Sequence, residues 1–326
     1  MRKVILTVLL VGIIATAGLF VGVGCAAPAV NTTGPNLQST AVALRNSLDT
    51  QMQDQYQMVK TWAKSPILLE AAKDAQLYGL IALYEMWSAE ATREYDEGEA
   101  CGDGDPANDI SPEASAFLTD IAATSGVVPD IFITNFNGYA IAANGATGDF
   151  DQGPSDWRIF LDDAGEPYFK KHKPAEGGEG WYRKTNESPT RFWAGEVEWD
   201  GLWIADTCCQ LRDPDTDEYL GQIKPTLDYG KIASGIVERG ETYLYEIKVI
   251  TADGTIVATS EADQAKVNNE AVTLSNMAFF KEVQGGRTAG YTLETDEDGE
   301  RVNIGYAVSF DVSKNIIVVS QLAPAE

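Results

Sequence analysis

The stretch Asp130-Ile-Phe-Ile-Thr-Asn-Phe-Asn-Gly-Tyr-Ala-Ile-Ala-Ala143 predicts two short strands around Asn137-Gly138. Both central residues of a tight hairpin turn take positive φ, which Asn and Gly tolerate best, and the β-branched and aromatic flanks favour extended chain. The arrangement recurs downstream. Residues 245–251, the turn Ala252-Asp253-Gly254 and residues 255–259 repeat it. After the first hairpin, residues 144–190 are loop-rich and hold three short helical or turn candidates. Residues 192–199 and 202–211 then pair around Asp200-Gly201. Asp213-Pro-Asp-Thr-Asp217 is a turn, residues 219–227 are a strand, and 228–236 a short helix. After the second hairpin, 274–282 reads as helix, and strands follow near 287–294, 301–309 and 315–322. The repeat is therefore of a whole module and not a short-period solenoid.

Upstream of both hairpins the period changes. Val42, Leu44, Leu48, Met52, Tyr56, Val59, Trp62 and Ala63 recur mostly three and four apart, which predicts a helix over 37–64. Ser65-Pro66 interrupts it, because proline disfavours helix at the preceding residue, and 67–97 continues as further helix. Residues 95–109 form an acidic, Gly-rich loop. Ser111-Pro112-Glu113 opens a helix to residue 125, with proline at its first position. The expected class is α+β, one long N-terminal helix leading two similar modules with antiparallel sheets.

The chain has 326 residues, with Lys+Arg 24 against Asp+Glu 49, a formal charge of −25. Nucleic-acid binding needs a basic footprint and is excluded. Docking on anionic lipid through surface charge is disfavoured for the same reason. One histidine, His172 in Lys170-Lys-His-Lys173, rules out metal sites built on several histidines and reads as exposed.

Residues 1–30 read as an export segment. Arg2 and Lys3 precede an uncharged, mainly apolar run over 4–24, followed by Cys25-Ala26-Ala27-Pro28. Three outcomes remain open: lipidation at Cys25, cleavage near Ala27, or retention as a membrane anchor. All three place the rest of the chain outside the cytoplasmic membrane. Cys101, Cys208 and Cys209 remain, with no Cys-x-x-Cys, so neither a zinc ribbon nor c-type haem attachment is supported. Cys208 and Cys209 alternate across a strand. Either could pair with Cys101 in an oxidising compartment, or all three are buried thiols.

In order and spacing, these segments resemble the extracellular double Cache sensor domains, which have a PAS-like fold. The residues that carry the resemblance are Pro129-Asp-Ile-Phe-Ile-Thr-Asn-Phe-Asn-Gly-Tyr139, Gly195-Glu-Val-Glu-Trp-Asp200, Arg212-Asp-Pro-Asp-Thr-Asp-Glu-Tyr-Leu-Gly221 with Leu227-Asp228, and Ile250-Thr-Ala-Asp-Gly-Thr-Ile-Val-Ala258. Glu179-Gly-Trp-Tyr182 matches the segment that lines the distal pocket of that family. Beyond the signal peptide or anchor read over 1–27, the resemblance implies a helical spine over 37–100, a membrane-distal module with the ligand pocket over 110–235, and a membrane-proximal module over 240–322. It also implies a homodimer along the N-terminal helix, and a membrane receptor or kinase as partner. In the amino-acid-binding branch an Arg and an Asp clamp the ligand. Glu179 and Thr226 stand in their places here, which implies a cationic or neutral ligand instead of an ordinary amino acid. The chain stops where a second membrane span would begin, so the expectation is a free-standing or anchored binding protein, or a truncated receptor, without its own output domain.

Five tryptophans (Trp157, Trp181, Trp193, Trp199 and Trp203) fall within one segment with Tyr182. They serve either as core or as an aromatic pocket. Trp157, Trp181, Tyr182, Trp199 and Trp203 are candidate ligand-binding residues, with Glu179, Asp206 and Thr226 as polar partners. Asp206 either faces the pocket, caps a loop, or pairs with Arg212 or Lys224. Glu196, Glu198 and Asp200 alternate on one strand face. They read as a solvated acidic edge, or as the carboxylates of a secreted carbohydrate-binding or carbohydrate-active protein. The acidic set Asp103, Asp105, Asn108, Asp109 and Glu113 misses the EF-hand spacing. No metal, cofactor or catalytic constellation is expected.

Overall fold

The computed structural model describes residues 34–77, 111–138, 140–144, 157–161, 167–171, 180–240, 245–260, 267, 273–295 and 299–323. Its first element, α1 (Gly34–Trp62), runs 29 residues, about 44 Å at helical rise. Leu37, Ala41, Leu44, Leu48, Met52, Tyr56, Val59 and Ala63 are buried, a stripe at spacings of three and four that lies along both sheets described below. Ser65 is extended, as the residue before a proline must be, and α2 (Pro66–Asp74) starts on that proline. A single 3₁₀ turn, Ala75–Leu77, follows. The expected continuation of helix to 97 lies outside the described residues.

The first module contains α3 (Pro112–Ser125) and a five-stranded sheet of β1 (Asp130–Asn135), β2 (Ala140–Ala143), β5 (Phe192–Trp199), β6 (Trp203–Arg212) and β7 (Tyr219–Asp228). Two further strands, β3 (Trp157–Leu161) and β4 (Pro167–Lys171), form a separate hairpin, and α4 (Gly180–Glu187) follows it. Helix α5 (Tyr229–Gly240) closes the module. The second module holds β8 (Glu246–Ile250), β9 (Ile256–Thr259), α6 (Ala278–Gln284), β10 (Ala289–Thr295), β11 (Arg301–Val308) and β12 (Ile316–Leu322).

Strand order is β2-β1-β7-β6-β5 in the first sheet and β9-β8-β12-β11-β10 in the second, with every pair antiparallel. Each sheet thus starts from a hairpin at one edge, places the module's last strand beside it, and fills the rest with a meander. The duplication expected from the two hairpins is borne out at the level of topology. Even the turns correspond, with Gly138 and Gly254 at φ 90° and 96°. The hairpin β3–β4 corrects the expectation of helices or turns there. Its signal was a pair of short β-favouring runs around Asp162-Asp-Ala-Gly165.

Residues 33–326 form one compact unit, and a continuous core explains why. Ile131, Ile133, Ala205, Leu211, Ile223 and Leu227 of the first sheet share one apolar cluster with Ile247, Val249, Val257, Ile317 and Val319 of the second, through α1 and α5. Contact between α1 and β11 is close enough to demand glycine: a Cβ on Gly305 would sit 2.2 Å from the backbone carbonyl carbon of Leu37. Among the described residues no helix is long and apolar enough to cross a membrane.

Candidate functional site

Strand register sorts the first sheet into two faces. Ile131, Ile133, Ala205, Cys209, Leu211, Ile223 and Leu227 point toward α1 and the core. Their alternates point the other way, in cross-strand rows. Asp130 is opposite Thr226, which is opposite Asp206. Phe132 is opposite Lys224. Thr134 is opposite Gln222, which is opposite Gln210. The second sheet has the same topology, but Ile250, Ile316, Val308, Val318 and Tyr306 on its corresponding face pack with Phe279 and Phe280 of α6 into an apolar cluster. On that face of the second sheet the polar residues of β8 and β12 sit at one end, where Lys248 pairs with Glu246 and the Ser320 hydroxyl donates to Glu246; the first sheet carries polar rows across three strands.

Helix α4 is fastened across this floor. Gln222 Nε2 donates to the Tyr182 carbonyl (3.1 Å) and to Asn186 Oδ1 (2.9 Å), and Gln210 Nε2 donates to the Thr185 carbonyl (3.1 Å). The Cys208 thiol donates to Gln222 Oε1 at 2.9 Å, which orients that amide. These bonds seat Trp181 edge-on against Phe132, with centroids 5.7 Å apart, and edge-on to Tyr182 at 5.8 Å. The Tyr182 hydroxyl donates to the Phe136 carbonyl (2.9 Å) and accepts from the Tyr219 hydroxyl (3.3 Å). Beside this aromatic wall lies the charged row. Lys224 Nζ sits 2.9 Å from Asp206 Oδ1 and 2.9 Å from Thr226 Oγ1, and the Thr226 hydroxyl donates to Asp206 Oδ1 at 2.8 Å. Burial pushes Asp130 above the ordinary carboxylate range; Lys224 opposes that and Asp206 adds to it. Asp206 thus pairs with the Lys224 ammonium, and Asp130 lies within its field.

The sequence candidates divide. Trp181, Tyr182, Asp206 and Thr226 are brought together. Asp206 takes the Lys224 pairing among its three alternatives. Trp199 and Trp203 do not join them: they meet each other edge to face at 5.5 Å, beside a separate cleft between the modules. Trp203 faces the core side by the alternation of β6, with Ala205 and Cys209, and Trp199 does so because of a bulge. Trp193 is opposite Cys208 on the polar face, but the register slips between Ala194 and Val197, so Val197 and the residues after it at even spacing turn to the core side. Trp157 lies on β3, and Glu179, Cys25, Cys101 and His172 lie outside the described residues. Glu196, Glu198 and Asp200 are exposed, as a solvated edge requires. Phe132, Asp130 and Gln222 went unrecognised in the sequence, and Lys224 stood out only as a partner for Asp206. Their signal was the alternation Gln222, Lys224, Thr226 within an otherwise apolar strand.

Cys208 and Cys209 are free, buried thiols. Burial raises both, Cys209 to about 11, so both are protonated at neutral pH. Cys209 borders a cleft of about 860 Å³ on the α1–α2 side, whose charges are largely paired. Lys73 binds Asp213 and holds it well below the usual range, and Arg191 grips Asp217 through two bonds of 2.6 and 2.8 Å. Among the described residues no group of His, Cys, Asp and Glu is placed to hold a metal.

No family model and no curated protein matches the sequence. Solved structures do. The extracellular domain assigned to a histidine kinase superposes with a TM-score of 0.54 at 12% identity, covering 90% of this chain and 93% of that one. The ligand-binding domain of the Campylobacter jejuni chemoreceptor Tlp3, in complex with L-valine, gives 0.51 at 8% identity, covering 90% and 93%. The sensory domain of the same chemoreceptor gives 0.51 at 9% identity, covering 90% and 94%. Identities this low speak for the fold. The chain shares with these extracellular sensor domains an α+β fold of two PAS-like modules on one long helix.

Proposed function

We propose that this protein is an extracytoplasmic small-molecule sensor or binding protein of double Cache type, which recognises a ligand without making or breaking bonds. The observation that carries the reading is the contrast between two faces of equal topology. The module over 240–322 covers most of its face with α6 and a cluster of Ile, Val, Phe and Tyr, the polar residues of β8, β9 and β12 there confined to the self-paired Glu246, Lys248, Thr259 and Ser320 end, whereas the module over 110–235 keeps Asp130, Asp206, Lys224, Thr226 and Gln222 beneath Trp181 and Tyr182. The floor's groups are bonded to one another and to α4, and a ligand with matching groups would exchange with those bonds. Aromatic walls supply desolvation, and the polar row supplies selection. Two carboxylates against one ammonium favour a cationic or neutral ligand over an anion. Loss of the family's Arg clamp at Glu179 agrees with that preference.

In this reading the spine over 37–100 carries the bias of the bound state to a second copy or to a membrane receptor or kinase. The segment over 1–27, or a lipidated Cys25, holds the protein at the membrane. Carbohydrate chemistry is less well supported. Glu196, Glu198 and Asp200 are exposed, and Asp253 across the cleft is held below its ordinary value by the Thr251 hydroxyl, the reverse of what a general acid needs.

A thermal-shift panel of amines, carboxylates, purines and sugars tests the proposal. At a hundredfold excess over Kd, a ligand that binds only the folded state adds about 2.7 kcal/mol of stability. Stabilisation by an amine or a neutral polar compound, lost in Trp181→Ala, is expected. A panel without any stabilising compound, or one in which only anions stabilise, would count against it.

A further inference from the structure

We infer that the cleft between the two modules is a second ligand site, taking a small organic cation that also carries a hydrogen-bond acceptor. The cleft has a volume of about 820 Å³, within the range of small-molecule sites. Both modules build it, and the β5 bulge is how. At the bulge Gly195 and Glu196 drop out of the pairing; Val197 resumes it opposite Ala205, and its N–H donates to Ser313 Oγ of the β11–β12 loop at 2.9 Å. The chain that follows, Glu198 and Trp199, is thereby turned toward the turn between β8 and β9, which supplies Asp253.

Three features fix the chemistry. Glu196, Glu198 and Asp253 line the cleft, and no Lys or Arg lines it among the described residues. The distal floor differs here, because its Asp206 pairs with Lys224. Trp199 is 47% exposed although it belongs to a strand, and it stands edge-on to Trp203. An indole open to a negatively charged cleft is the arrangement that attracts a poorly hydrated cation. Trp203 is only 7% exposed, and its indole Nε1–H finds no acceptor among the described residues. A buried donor without a partner is costly, and a ligand acceptor would satisfy it. The site does not depend on the distal-pocket reading. A ligand here would touch both modules and so weight the arrangement of one against the other.

Calorimetric titration of the full chain with tetramethylammonium, choline, glycine betaine, acetate and cellobiose tests this. Saturable binding of choline or glycine betaine is expected, weakened by salt. Trp199→Ala should reduce it roughly tenfold, and Glu198→Gln should weaken it too. Both residues are exposed, so neither change disturbs the core. Trp203→Phe should weaken choline and glycine betaine while sparing tetramethylammonium, which has no acceptor. Trp181→Ala should leave the Trp199-dependent component of binding unchanged, which separates this site from the distal one. Failure of every cation to bind, binding of cellobiose alone, or binding that survives Trp199→Ala and disappears in Trp181→Ala would overturn the inference. Equal losses for all cations in Trp203→Phe would overturn the role of the indole N–H.

Discussion

At Asp130 the sequence shows an ordinary strand-opening residue, and the register turns it into part of a charged row. Its carboxyl is raised chiefly by burial, with Asp206 adding and Lys224 subtracting. The consequence for stability has a definite sign. A carboxyl raised in the folded state holds its proton where the unfolded chain has already lost it. Its contribution is therefore greatest below the ordinary aspartate value of about 4 and declines as pH rises through the raised value. Asp130→Asn removes this decline. Urea midpoints of the wild type and the variant, measured from about pH 4 to about pH 8, should draw apart across that window in the variant's favour and then run parallel. Taking the difference cancels the other carboxylates, including Asp213 and Asp253, whose lowered values act in the opposite direction. A difference independent of pH would mean that Asp130 is not desolvated in solution. The same residue shows what sequence leaves hidden. Trp181 and Tyr182 stood out because they are large and adjacent, whereas Asp130, Lys224 and Asp206 meet only through pairings between β1, β7 and β6. No local pattern specifies those pairings.

Among the elements, α1 was the most legible and its docking the least. Eight buried side chains at helical spacing announce the helix, and both hairpins announce themselves through Asn137-Gly138 and Asp253-Gly254. Nothing local says which strand the helix crosses. The crossing is set by Gly305 on β11, a glycine inside a strand, where it would ordinarily weaken pairing. Its missing side chain lets the backbones of α1 and β11 approach. Polar contacts then fix the helix lengthwise. Arg45 donates to the Val308 carbonyl at 3.0 Å, and the Tyr56 hydroxyl reaches both oxygens of Asp311 at 2.8 and 3.0 Å. Gly305→Ala forces backbone against backbone, which no rotamer change relieves, so it should cost about 3 kcal/mol or more in equilibrium unfolding. Gly299→Ala meets no atom within 4 Å but sits at φ 83°, and its smaller cost from backbone strain alone serves as the comparison. Equal costs at the two positions would show that the approach of α1 to β11 is looser than the structure has it.

On the scale of the whole molecule, the two modules are topological copies that have not remained independent. Both contribute to one apolar cluster, α1 lies along both sheets, and the bulge in β5 sends a backbone hydrogen bond from one module to the other. The bulge is also where sequence reading lost the face of the strand, since one slipped residue reverses everything after it. A pair of modules joined only by a linker would unfold in two steps; modules sharing a core should unfold in one. The placement of tryptophan makes this measurable without labels. All seven tryptophans lie before residue 204, so none belongs to the second module, and indole fluorescence follows chiefly the spine and the first module, with Trp199 and Trp203 at the cleft between the modules. Far-ultraviolet circular dichroism follows both sheets. The two signals should trace one superimposable curve in urea, and they should move together when a ligand of the distal floor is added, because stabilising one module then stabilises the other. A dichroism change that outlasts or precedes the fluorescence change would show that the shared core does not couple the modules, and would leave α1 without the means to carry a binding event from one to the other.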